Sequence, residues 1–95
     1  MIIERQDLEF GTELIIYNEG QRHWASVYRV TCLDFNPTPE GRQPPVARIS
    51  PLCATSATPD ELTRLATEYL FVAGAAAALQ AEKRAVYAER FGATE

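Results

Sequence analysis

Residues 58–92 read TPDELTRLATEYLFVAGAAAALQAEKRAVYAERFG, and this stretch decides the fold. Thr58-Pro59-Asp60-Glu61 is a capping box. Thr58 can accept from the first helical turn, Pro59 suits the first helical position, and Glu61 can reach back to the Thr58 backbone. Asp60 and Glu61 also lie at the positive end of the helix dipole. Arg90 and Phe91 followed by Gly92 supply a cation in the last turn and a stop. Together these signals predict one helix over residues 59–92.

That helix is too long for a chain of 95 residues. At 1.5 Å per residue it measures roughly 50 Å. A compact domain of this size has a radius of gyration near about 12 Å, hence a diameter of roughly 32 Å. Either the helix breaks, with Gly74 its weakest point, or its second half projects beyond the sheet. Leu62, Leu65, Tyr69, Val72, Ala76, Leu79, Lys83 and Val86 follow alternating three- and four-residue spacing, a coiled-coil-like seam. Ala66, Leu70, Ala73 and Ala77 add a second row, and Phe71, Ala75 and Ala78 carry apolar surface onto the far side. Small residues four apart let another backbone approach closely. We therefore expect pairing of helices in a homodimer, with Val72, Ala73, Ala76, Ala77 and Leu79 at the interface. The plainer alternative is one helix laid on its own sheet, with alanine outside for helix propensity.

Upstream of the helix, residues 1–35 read as strands. Glu13 to Tyr17 is a β-branched and aromatic run, and His23 to Phe35 is rich in Val, Tyr, Thr, Trp and Phe. Asn18-Glu19-Gly20-Gln21 marks a hairpin, because Gly20 takes positive φ cheaply. A two- or four-residue loop sets Tyr17 opposite Arg22 and Ile15 opposite Trp24. In that register Leu14, Ile16, Ala25, Val27, Leu33 and Phe35 form a core face interrupted by Arg29. Ile15, Tyr17, Trp24, Tyr28 and Val30 form a second, aromatic face, with Arg22 beside it. In residues 36–58, Pro37, Pro39, Pro44, Pro45 and Pro51 disrupt regular pairing. Val46 to Ser50 is a short fourth strand at an edge.

The fold class that follows is α+β: a single domain with an antiparallel sheet of about four strands and one long C-terminal helix packed on one sheet face. The expected core is Leu14, Ile16, Val27, Leu33, Leu62, Leu65, Tyr69 and Val72, drawn from the sheet and the N-terminal half of the helix.

Composition narrows the function. Hydrophobic residues make up 46% of the chain, which excludes wholesale disorder. Nine basic residues against thirteen acidic ones give a net charge of −4, which disfavours broad binding to a phosphate backbone. The longest uncharged run, Tyr69 to Ala81, is shorter than the ~20 residues a bilayer crossing needs, so no membrane partner is expected. Met1-Ile2-Ile3 runs directly into charged residues, with no secretory signal, so a cytoplasmic location and reduced thiols at Cys32 and Cys53 are expected. With one histidine, His23, and no C-x-x-C pair, neither a metal site nor a cofactor is expected. No phosphate-binding loop or nucleophile elbow occurs, so catalysis is not the favoured reading.

The constellation with functional character is Tyr17, Arg22, Trp24 and Tyr28. Aromatic and arginine side chains mark protein interfaces. They also stack the bases of single-stranded nucleic acid, or line a small-molecule site. The favoured expectation is a non-enzymatic protein-interaction module, homodimeric or part of a larger complex. Nucleic acid or a small molecule on the aromatic face are the alternatives.

Overall fold

The computed structural model describes residues 1–20, 27–50 and 58–92. Strands β1 (Ile2–Leu8), β2 (Gly11–Tyr17), β3 (Tyr28–Leu33), β4 (Asn36–Thr38), β5 (Gly41–Gln43) and β6 (Ala47–Ser50) precede helix α1 (Pro59–Phe91). The main sheet is antiparallel throughout, in the order β1-β2-β3-β6, and β4 and β5 form a separate two-stranded hairpin. The architecture is therefore α+β, with the expected edge strand at β6. The proline-rich segment is more ordered than its composition suggests, because β4 and β5 pair locally around Pro39-Glu40.

The register of the central pair differs from the expected one. Leu14 lies opposite Val30 and Ile16 opposite Tyr28, with Ile15 opposite Arg29 rather than Trp24. β2 ends at Tyr17 and β3 begins at Tyr28. Gly20 does adopt positive φ, at 79°, but that turn does not set the strand register. The displacement is five positions. An odd slip moves every side chain of a strand to the other face. Tyr28, Val30 and Cys32 therefore enter the core with Thr12, Leu14 and Ile16. Leu33, expected inside, is 44% exposed, and Val27 is half-buried. Arg29 no longer interrupts the core: it faces the other way and pairs with Glu13 at 3.2 Å.

Gly11 opens β2 where backbones crowd. A Cβ there would stand 2.7 Å from the Cys32 carbonyl oxygen and 2.9 Å from the Leu33 Cα. Only glycine fits that approach without displacement of β3.

The helix is continuous through Gly74 and keeps its capping box. The Glu61 amide donates to the Thr58 hydroxyl, and the Thr58 amide donates to the Glu61 carboxylate. At the other end the Gly92 amide donates to the Ala88 carbonyl. Of the two routes open to an overlong helix, projection is the one realised, but by the first turns rather than the second half. The chain measures 46 × 23 × 19 Å and its radius of gyration is 15.2 Å, against about 12 Å for a compact chain of this length.

The half that packs is not the expected one. Val72, Ala76, Leu79 and Tyr87 are the buried helix residues. Val72, Ala76 and Leu79 join Leu14, Ile16, Tyr28, Val30 and Cys32 in one core. Leu62, expected in the core, is 61% exposed, Leu65 is half-buried, and Tyr69 packs at the core's margin. The reason lies in what the middle and C-terminal turns meet. Gln80 accepts from the Ala47 amide at 3.0 Å, Arg84 donates to the Pro45 carbonyl at 2.8 Å, and the Tyr87 hydroxyl donates to the Arg42 carbonyl at 3.3 Å. Pro44 and Pro45 have no amide hydrogen for a ladder, and the helix side chains satisfy the backbone groups beside them. Lys83 also pairs with Asp34 at 3.1 Å, and Arg5 on β1 makes a two-pronged pair with Glu82.

Candidate functional site

Two of the four aromatic-face candidates fall within the described residues, and the sheet separates them. Tyr17 stays on the face turned away from the helix, is buried, and donates its hydroxyl to Glu4. Tyr28 lies on the helix side, buried beneath α1. Its hydroxyl donates to Glu68 at 2.8 Å, and its ring meets Tyr69 edge-on with centroids 5.7 Å apart. Burial, and then the Glu68 carboxylate, push the Tyr28 phenol above its ordinary range. Tyr28 thus has no open ring face for a base or a ligand. Arg22 and Trp24 lie outside the described residues, as do His23 and Cys53.

The other face of the sheet is accordingly more polar than the expected register implied. Glu4, Gln6, Glu13, Arg29, Thr31 and Arg48 share it with Ile15 and Tyr17, by the alternation of strand side chains. Cys32 is fully buried, and burial raises its thiol pKa. A thiol so placed stays protonated and behaves as a small apolar side chain. Among the described residues no group of three or more His, Cys, Asp or Glu side chains is placed to hold a metal ion.

The residues expected at a helix interface divide into two sets. Val72, Ala76 and Leu79 are consumed by this chain's own core, so their face is not open to a second chain. Ala73 and Ala77 remain exposed. They are flanked by large side chains that the expected interface omitted. Leu70 is 76% exposed and Leu62 61%. Leu62, Ala66, Leu70, Ala73 and Ala77 succeed one another at steps of four, four, three and four, so they lie along one helix face. The core stripe, through Leu65, Val72, Ala76 and Leu79, lies beside it, about 110° round the helix axis. Phe71, also exposed, lies farther round the same helix.

The signal for this stripe was in the sequence, as the second apolar row. Its exposure was not, because α1 is apolar around most of its circumference and periodicity alone does not choose the face that meets the sheet. An 18-residue window of α1 has a mean hydropathy of 1.2, and 17% of that window is buried. By length and composition the helix could cross a membrane, a weak criterion that core helices of soluble proteins also meet. The chain matches no protein-family model, no curated protein and no solved structure.

Proposed function

We propose that this chain is a non-enzymatic interaction module that pairs with a second copy of itself through the exposed face of α1. The observation that carries the reading is the exposed row Leu62, Ala66, Leu70, Ala73 and Ala77, which runs from the projecting turns of the helix onto its packed part. A contiguous apolar face on a soluble domain marks an interaction surface. Alanines in its centre allow close approach of backbones, and Leu62 and Leu70 supply the apolar area that close approach would bury.

The helix dipoles favour an antiparallel pair, in which the positive end of each helix lies beside the negative end of the other.

Light scattering after size exclusion tests the reading. The expected mass is twice the 10.6 kDa of one chain, reverting to the single-chain mass in Leu70→Asp and Ala77→Glu. A single-chain mass for the wild type at ~100 μM, or co-sedimentation of the wild type with lipid vesicles through the same residues, overturns it.

A further inference from the structure

The C-terminal turns of α1, the β4–β5 hairpin and Asp34-Phe35 enclose a cleft of about 320 Å³. Small-molecule sites begin at roughly 300 Å³. Two kinds of side chain line this one. Phe35, Tyr87 and Phe91 give it aromatic walls, and Arg42, Lys83 and Arg90 bring three cations against the single carboxylate of Asp34. In a chain of net charge −4, a lining with that surplus of positive charge runs against the molecule's own balance.

The cations are not equally occupied. Lys83 pairs with Asp34 at 3.1 Å. Neither Arg42 nor Arg90 has a carboxylate at ion-pair distance among the described residues. The Arg42 guanidinium stands 4.2 Å from the Phe91 ring centroid and 5.3 Å from that of Phe35. A guanidinium over aromatic rings keeps N–H donors for an oxyanion that can accept two bonds. The hydrogen bond from Tyr87 to the Arg42 carbonyl ties that residue's backbone to the helix, so the cation is held in place before any ligand arrives.

We propose that this cleft binds a small aromatic anion, a planar ring bearing one carboxylate or phosphate group. The ring lies among the aromatic side chains that line the cleft, Phe10 included, and the oxyanion sits on Arg42 and Arg90. The cleft shares no residue with the row from Leu62 to Ala77, so this proposal stands or falls independently of self-pairing.

The test is a titration of the full chain with phenyl phosphate, benzoate, inorganic phosphate and benzyl alcohol, followed by amide chemical shifts. The expected result is saturable shifts at Asp34, Phe35, Arg42 and residues 83–91. Phenyl phosphate or benzoate binds about ten-fold or more tightly than inorganic phosphate and benzyl alcohol. The ranking of the two aromatic anions identifies the preferred headgroup. Arg42→Gln and Arg90→Gln each weaken binding by about ten-fold, whereas Glu89→Gln leaves it unchanged. Thermal melts establish that the variants fold; if Arg42→Gln loosens the hairpin, Arg90→Gln alone carries the comparison. Shifts centred elsewhere, equal affinity for inorganic phosphate, or wild-type affinity in folded arginine variants overturns the proposal.

Discussion

The Tyr28 hydroxyl donates a 2.8 Å hydrogen bond to Glu68, joining the first residue of β3 to the third turn of α1. Glu68 also receives the Asn18 side-chain amide at 3.1 Å and Arg64 at 3.2 Å, so one carboxylate gathers donors from the β2–β3 connection, β3 and the helix. This bond marks the boundary between the helix that is packed and the helix that projects. Tyr28→Phe should cost about 1–1.5 kcal/mol, the usual net worth of a hydrogen bond, somewhat enlarged by the charged acceptor. Tyr28→Ala removes the ring as well and should cost about 3–5 kcal/mol. Urea melts of both variants check the difference. Equal losses would show that the ring adds nothing beyond its hydroxyl, and no loss in Tyr28→Phe would show that the ring alone holds the helix to the sheet.

Gly11→Ala should be destabilising by about 1–3 kcal/mol, because the added methyl meets backbone atoms rather than a side chain that can swing aside. Gly74→Ala should do the opposite. Nothing lies within 4 Å of a Cβ at Gly74, and alanine gains about 1 kcal/mol over glycine inside a helix. Thermal melts of the two variants should therefore move in opposite directions. Amide exchange should quicken along β2 and β3 in Gly11→Ala alone.

Arg5 links the edge strand to the helix, and its contribution depends on pH. The hydrogen bond from Arg5 holds the Glu82 carboxyl below its usual 4.5. The Thr12 hydroxyl, and secondarily Arg5, hold Asp7 below its usual 3.8. A carboxylate with a lowered folded-state pKa stabilises the fold fully above its unfolded value and loses that contribution as the pH falls through the folded value. Arg5→Gln should therefore be less stable than wild type at neutral pH, and the gap should close by about pH 2. Because these groups are exposed, 1 M salt at neutral pH should narrow the same gap. A gap independent of both pH and salt would mean that Arg5 acts through its aliphatic stem.

The helix was legible from sequence end to end, because its signals are local: Thr58, Pro59 and Glu61 define one turn, and Gly92 lies past the last. The strands β2 and β6 and the four-stranded count were legible for the same reason. The register between β2 and β3 was not. Gly20 announces a turn, but the number of residues between Tyr17 and Tyr28 is set by long-range packing, and an odd slip exchanges Tyr28 and Val30 for Val27 and Leu33. The aromatic face depended on that register, which sets Tyr17 and Tyr28 on opposite faces of the sheet, while Arg22 and Trp24 lie outside the described residues. The cleft was illegible for a different reason. Asp34, Arg42, Lys83 and Arg90 are scattered along the chain, and only the hairpin's attachment to the helix gathers them.

The two faces of α1 make opposite predictions for leucine. Leu79 is buried against the sheet, so Leu79→Ala should cost about 2–5 kcal/mol at every protein concentration, through a cavity in the core. Leu70 touches little of its own chain, so Leu70→Ala should leave the stability of an isolated chain within about 0.5 kcal/mol of wild type. If α1 self-pairs, association adds to apparent stability by mass action, and the wild-type melting temperature rises with concentration. Leu70→Ala should then flatten that dependence, while Leu79→Ala lowers the whole curve without removing its slope. Melts from about 5 to 500 μM separate the cases. A strong loss in Leu70→Ala at the lowest concentration would place Leu70 in the chain's own core and reverse the orientation of the helix on the sheet.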